Sequence, residues 1–197
     1  MKIYDISQEV FGSAVFPGDP SPSKKQILSV EKGDVCNLTA FSMCAHNGTH
    51  IDSPFHFING GKTVDKIDLK KLVGFAYVCQ CNGIITEEKA KEILLKADAI
   101  NTEAAKRILI KGKATVSNEA ATVFANSGIY LIGNESQTVG DEKAPMKAHL
   151  ALLGKDAVLL EGIRLAHIDE GVYLLSAAPI NLGGCDGAPC RAVLIEI

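Results

Sequence analysis

Apolar positions along this chain recur with two different periods, and the changes of period divide it into elements. Lys2–Ser7 reads as a short first strand, and Ile27–Val30 and Cys36–Cys44 as two more, separated by a Lys-Gly-Asp turn. Gly74–Cys81 is an apolar strand. Thr86–Ala97 is a helix with Thr86 as N-cap, two glutamates in its first turn, and Ala90, Ile93, Leu94 and Ala97 on one face. A shorter helix is expected over Thr102–Lys106, followed by a buried strand at Arg107–Ile110. Ser117 caps the next helix, which stops at Gly128 ahead of a strand at Ile129–Gly133. Met146–Leu153 is an amphipathic helix opened by Pro145 and closed at Gly154, and Ala157–Glu161 is an apolar strand. Val172–Ala177 and Ala192–Ile197 are the last strands, joined by a glycine-rich loop. Alternation of helix and strand through the middle of the chain predicts an α/β fold with parallel pairing around a mixed central sheet or partial barrel.

One stretch fits neither period. Between His46 and His56 stand three of the five histidines, with Asp52 and Pro54 among them. A helix would aim Asp52 away from His46 and His50, and Pro54 would break its turn. In extended chain, His46, His50, Asp52 and His56 share one parity and leave one face. A straight strand would set His46 and His56 roughly 33 Å apart at about 3.3 Å per residue, so the chain must bend, and Gly48 and Pro54 stand where it can. Imidazole nitrogens and a carboxylate in phase are the donors that zinc, manganese or ferrous iron accept. The expected metal is zinc, with manganese as the alternative.

Composition narrows the partners. The 197 residues are 47% hydrophobic and 22% charged with net charge −3, which predicts one soluble domain over residues 1–197 with a sizeable core. There is no basic stripe for nucleic acid and no run of eighteen apolar residues for a membrane, and Met1–Phe11 lacks the uninterrupted apolar stretch of a signal peptide. A small-molecule substrate and a cytoplasmic setting are expected. In that setting the six cysteines are reduced thiols, and Cys79 and Cys81, on one face of an apolar segment, read as core or near-core residues.

Two further residues stand out of phase. His149 lies in the amphipathic helix, and Glu161 ends an apolar strand where a carboxylate must find a cation, a donor or water. Both are candidate additional ligands; taken singly, each also reads as a solvated surface residue. The proline-rich stretch Val15–Ser23, beside Phe16, reads equally as the wall of a pocket or as a surface connection.

The segment HNGTHIDSPFHF resembles the HxGTHxDxPxHF signature of the cyclase family of metal-dependent hydrolases, typified by bacterial kynurenine formamidase. VFPGDP, SGIYLIGNES, KAHLALLGKDAVLLEGI and GCDGAPCRAVLIEI are similar to further blocks of that family, in order, over nearly the whole chain. The resemblance implies a swivelling β/β/α fold, dimers or tetramers, and hydrolysis of a small amide. It implies metal ligation by His46, His50 and Asp52, completed by His149 and Glu161 as a one- or two-ion centre, with His56 as the proton-transfer group. Phe16, Asp19, Phe55 and Phe57 are the expected substrate contacts; the chain has no tryptophan, so these phenylalanines stand where the family places other rings. Opening of a cyclic amide or lactone on the same site is an alternative, as is a metal- or ligand-binding protein without turnover.

Overall fold

The computed structural model describes residues 1–196, in which thirteen strands and three helices follow in the order β1 (Lys2–Asp5), β2 (Ser23–Leu28), β3 (Leu38–Ser42), β4 (His50–Asp52), β5 (Val73–Gln80), β6 (Gly83–Ile85), α1 (Glu87–Ile100), β7 (Arg107–Lys111), β8 (Ala114–Val116), α2 (Asn118–Asn126), β9 (Leu131–Asn134), α3 (Met146–Leu153), β10 (Val158–Glu161), β11 (Gly171–Ser176), β12 (Gly187–Pro189) and β13 (Val193–Glu196). Nine of the strands form one sheet in the order β1-β13-β11-β5-β7-β9-β10-β4-β12. Its centre, β5 to β10, is parallel, and antiparallel strands extend it on both sides. This is the mixed α/β architecture expected. Crossovers through α1, α2 and α3 link the parallel strands, as parallel pairing requires.

Each central strand is buried on both sides, and its alternation sorts residues between two apolar layers. Ile108, Ile110, Ile132 and Leu159 face the three helices with Tyr77 and Cys79. Leu109, Leu131, Val158 and Leu160 face the opposite layer with Ile51, Leu175 and Leu194. The helices dock through alanine-rich faces: Ala90, Ile93 and Ala97 of α1, Ala120, Ala121 and Phe124 of α2, and Ala148 and Leu152 of α3 are all buried. Thr86 and Ser117 cap α1 and α2 as expected, each accepting a backbone N–H three residues on.

Four local expectations need correction. Thr102–Lys106 is not a helix but a single 3-10 turn at Ala104–Lys106. The Asn101 side chain accepts the N–H groups of Glu103 and Ala104, and so short a segment cannot offset the cost of helix nucleation. The second strand runs Ser23–Leu28 instead of Ile27–Val30, and a 3-10 turn occupies Val30–Lys32. It pairs only with β3 in a hairpin exposed on both faces, so no burial pattern marks it. The ninth strand begins at Leu131, two residues later than Ile129. The loop before the last strand contains β12, whose Gly-Ala-Pro sequence carries no strand pattern; it exists because it covers the edge of β4. The last residue of the expected final strand lies outside the described residues. Among the described residues no helix is long and apolar enough to cross a membrane.

Candidate metal centre

Strand β4 is only three residues long, yet it is paired on both sides. Asp52 stands opposite Leu159 and Gly187, and His50 opposite Glu161 and Pro189. Leu159 faces the helices, so Asp52, His50 and Glu161 leave the sheet on that same side, where α3 delivers His149. All four side chains are almost completely buried, at 1%, 1%, 2% and 3% exposure in that order.

The histidines on either side of β4 arrive by bends. Asn47 closes a turn by accepting the Cys44 N–H at 2.8 Å, and Gly48 supplies the left-handed residue, φ 69°, that turns His46 back over Asp52. Thr49 fastens the turn to the sheet through its hydroxyl, which donates to Gly162 O at 2.7 Å and accepts the Gln8 N–H. After β4, Pro54 opens a 3-10 turn that carries His56 back to the same place. The expected kinks at Gly48 and Pro54 are both present.

Asp52 is the hub. His46 Nδ1 lies 2.8 Å and His50 Nε2 3.3 Å from Asp52 Oδ1, and His149 Nε2 lies 3.6 Å from Oδ2. Glu161 stands across from it, 3.6 Å from His50 Nε2 and 3.3 Å from His149 Nε2. Two backbone contacts fix imidazole tautomers: His50 Nδ1 donates to Gly48 O at 3.1 Å and His149 Nδ1 to Pro145 O at 2.9 Å. Both rings therefore present an unprotonated Nε2 to the carboxylates once neutral, the arrangement by which backbone carbonyls orient metal-binding histidines. Glu161 is oriented in turn by the Val139 N–H, 2.8 Å from Oε1.

The donor set suits a divalent cation. Asp52 Oδ2 is buried without a hydrogen bond, and a buried carboxylate oxygen left so is costly unless a cation meets it. Two sets, His46/His50/Asp52 and Asp52/His149/Glu161, each bring their ligand atoms within 4.8 Å of one another and share Asp52, so they suit one ion or two bridged by that carboxylate.

Without a cation, protons take its place. Burial pushes His46 and His50 down, but Asp52, joined at His50 by Glu161, outweighs it and holds them at about 9 and about 10. His149 is raised as well, against burial, by Glu161 and Asp52, and the histidines hold Asp52 far below its ordinary range despite its burial. Raised histidine values stabilise the metal-free fold fully below the ordinary imidazole range near 6.5, and that stabilisation is lost as pH rises through about 9 to 10. Two outcomes are expected. Metal uptake at pH 7 to 8 releases protons, read by calorimetry in buffers of different ionisation enthalpy, and the metal-free protein melts at a lower temperature at pH 10 than at pH 7.

A cavity of about 230 Å³ opens over this cluster, lined by Phe16, Asp19, His56, Phe57, Gln137 and Thr138 together with His46 and the four buried donors. Phe55, expected among the substrate contacts, does not line it. The 3-10 turn at Pro54–His56 points His56 and then Phe57 inward, leaving Phe55 41% exposed. His56 does not touch Asp52; its Nδ1 lies 3.1 Å from Oδ2 of Asp186, which also takes His46 Nε2 at 2.8 Å. Asp186 was not singled out in the sequence. Its backbone carbonyl is held by the N–H and hydroxyl of Ser53, at 2.9 and 2.8 Å, and Gly187 after it leaves room for His46. A Cβ there would fall 2.7 Å from His46 Cε1. An acidic residue next to Gly187 in a glycine-rich loop that admits close backbone approach was the available signal.

The Cyclase family model, described as "Putative cyclase", matches residues 4–141. A kynurenine formamidase of Bacillus anthracis is 33% identical over 211 residues, covering 100% of this chain and 98% of that protein, and one of Erythrobacter litoralis is 29% identical, covering 100% and 94%. A structure described as a predicted metal-dependent hydrolase from Bacillus stearothermophilus superposes with TM-score 0.80 at 27% identity, covering 98% of this chain and 97% of that one. An isatin hydrolase bound to the product analogue thioisatinate shares the fold, with TM-score 0.84 at 17% identity, covering 98% and 91%. By its matched family model and its full-length relatives, the chain belongs to the cyclase family.

Proposed function

We propose that this protein is a metal-dependent hydrolase of small amides, an arylformamidase-like enzyme that cleaves the C–N bond of an N-formyl arylamine to release formate and the free amine. The observation that carries the reading is Asp52: a buried carboxylate approached by three imidazoles from three segments, with one oxygen left without a hydrogen bond. The full-length likeness to kynurenine formamidases supports the substrate class.

His46, His50, Asp52, His149 and Glu161 are the residues that would hold the cation, zinc before manganese, as one ion or two. When bound, such an ion supplies Lewis acidity, lowering the pKa of water and polarising a carbonyl oxygen. The chain's own groups do the rest. Asp186 accepts from His56 Nδ1–H, which leaves Nε2 as the basic nitrogen. At Nε2, His56 takes a proton from the attacking water and gives it to the amine nitrogen as the C–N bond breaks. Phe16 and Phe57 offer apolar surface to the aryl ring, and Asp19 is the polar group at that wall. Self-association into dimers or tetramers and a cytoplasmic setting, in which the thiols stay reduced, belong to the same reading.

A panel of N-formyl arylamines, cyclic imides and lactones tests it. The expected result is release of formate from the N-formyl arylamines at the highest kcat/KM. Ring opening without formate release would reassign the substrate to the cyclic class.

A further inference from the structure

On the solvent side of the buried donors, His46 and His56 present nitrogens to a third group, and the three together form another ligand set. Asp186 Oδ2 lies 2.8 Å from His46 Nε2 and 3.1 Å from His56 Nδ1, and one ligand atom from each residue falls within 4.8 Å of the others. The two rings lie 4.1 Å apart between centroids, and Phe57 packs edge-on against His56. Ser53 holds the Asp186 backbone, so these donors are in place without a cation. A tetrahedral zinc ion with bonds of about 2.0–2.1 Å sets its ligand atoms about 3.3 Å apart, a few tenths of an ångström beyond the two distances to Asp186. Two imidazoles and a carboxylate are also donors that zinc accepts.

We propose that His46, His56 and Asp186 form an outer, inhibitory site for zinc, filled when zinc exceeds what the inner donors hold. The effect on rate rests on the amide-hydrolase reading; the ligands do not. Exposure separates this set from the inner one. The side chains of His46, His56 and Asp186 are 13%, 27% and 41% exposed, so an ion reaches them from solvent, whereas Asp52, His50, His149 and Glu161 are buried. The outer ion is the weaker, because water competes for its donors and both imidazoles must give up their hydrogen bonds to Asp186. It is lost on dialysis, which leaves only the inner metal.

Inhibition follows from the tautomer of His56. Asp186 takes the Nδ1–H and leaves Nε2 basic. An ion bound at Nδ1 displaces that proton to solvent, and the one proton that a neutral imidazole keeps then sits on Nε2, which can no longer take another from water. His46 is drawn the same way. Its Nδ1 lies 2.8 Å from Asp52 and its Nε2 2.8 Å from Asp186, and a neutral ring lends one lone pair at a time. The outer ion thus removes a base and borrows a ligand, while His50, Asp52, His149 and Glu161 still hold the inner metal.

Equilibrium dialysis against buffered zinc tests both halves, with bound zinc counted by elemental analysis and formate release followed in the same samples. Beyond the ions that restore activity, the parent protein is expected to take up one more. The rate should fall as it binds, by about 10²-fold or more at saturation, the worth of the acid–base help withdrawn. Asp186→Asn removes the anionic ligand and keeps an oxygen for His56 Nδ1–H. It should need at least about tenfold more zinc for that last ion, no less than the loss of a mere orienting partner costs. Its own slower hydrolysis should persist at zinc concentrations that silence the parent. His56→Ala should shift the last ion likewise, and both variants should keep the inner metal. No additional ion in the parent, or equal uptake by all three proteins, would overturn the site, and uptake without loss of rate in the parent would overturn the inhibition. Should no formate appear at any zinc concentration, the amide reading fails, and the zinc counts alone still decide whether the outer site exists.

Discussion

Replacing Asp52 with alanine will leave a folded protein that retains no divalent metal after dialysis and hydrolyses N-formyl arylamines at least about 10³-fold more slowly. No other side chain at the site touches so many of the rest: Asp52 reaches His46, His50 and His149, and two ligand sets share it. Its loss divides one cluster into two incomplete halves. The three imidazoles lose one of the carboxylates that raise them, but Asp186 at His46 and Glu161 at His50 and His149 remain, so none is left as a buried cation without a partner. Folding therefore survives, and the melting temperature should fall near that of the metal-free parent. Elemental analysis of the purified variant checks the metal, and a variant with a full complement of metal would remove Asp52 from its place as hub.

Replacing His56 with alanine has the opposite signature: metal content stays at the parent level and turnover falls by about 10²–10⁴, the usual worth of positioned acid–base help. The separation follows from where His56 sits. It lines the cavity and contacts Asp186, while Asp52 and Glu161 find their partners elsewhere. Its removal opens space beside solvent, at a side chain already 27% exposed, so little stability is at stake. Parent-rate hydrolysis in this variant would show that the proton travels by another route. Loss of metal along with rate would place His56 among the ligands.

The sequence carried the chemistry of the site further than its geometry. Parity holds as reasoned for His50 and Asp52, the two members of the cluster inside a strand. His46 and His56 reach the same place by a turn at Asn47–Gly48 and a 3-10 turn at Pro54, so their matching parity was not what aligned them. The same turn explains Phe55: once the chain leaves extended conformation, the period of two no longer tells which neighbour faces inward. His149 and Glu161 were visible as polar groups out of phase in apolar elements, and their convergence depends on β10 pairing with β4, a contact across more than a hundred residues. Asp186 was hidden for a related reason. It enters the site because β12 pairs with β4, and a three-residue strand containing glycine and proline announces no register to local pattern. The helices and parallel strands were legible because each buries one apolar stripe or an unbroken apolar run, whereas the exposed β2–β3 hairpin buries neither.

The most direct test of the central claim is to strip the purified protein with a chelator, confirm by elemental analysis that it is metal-free, and titrate zinc or manganese back while following formate release. The account predicts no hydrolysis above background in the stripped protein and recovery that saturates at one or two ions per chain. Hydrolysis at the parent rate by protein shown to be free of metal would contradict it.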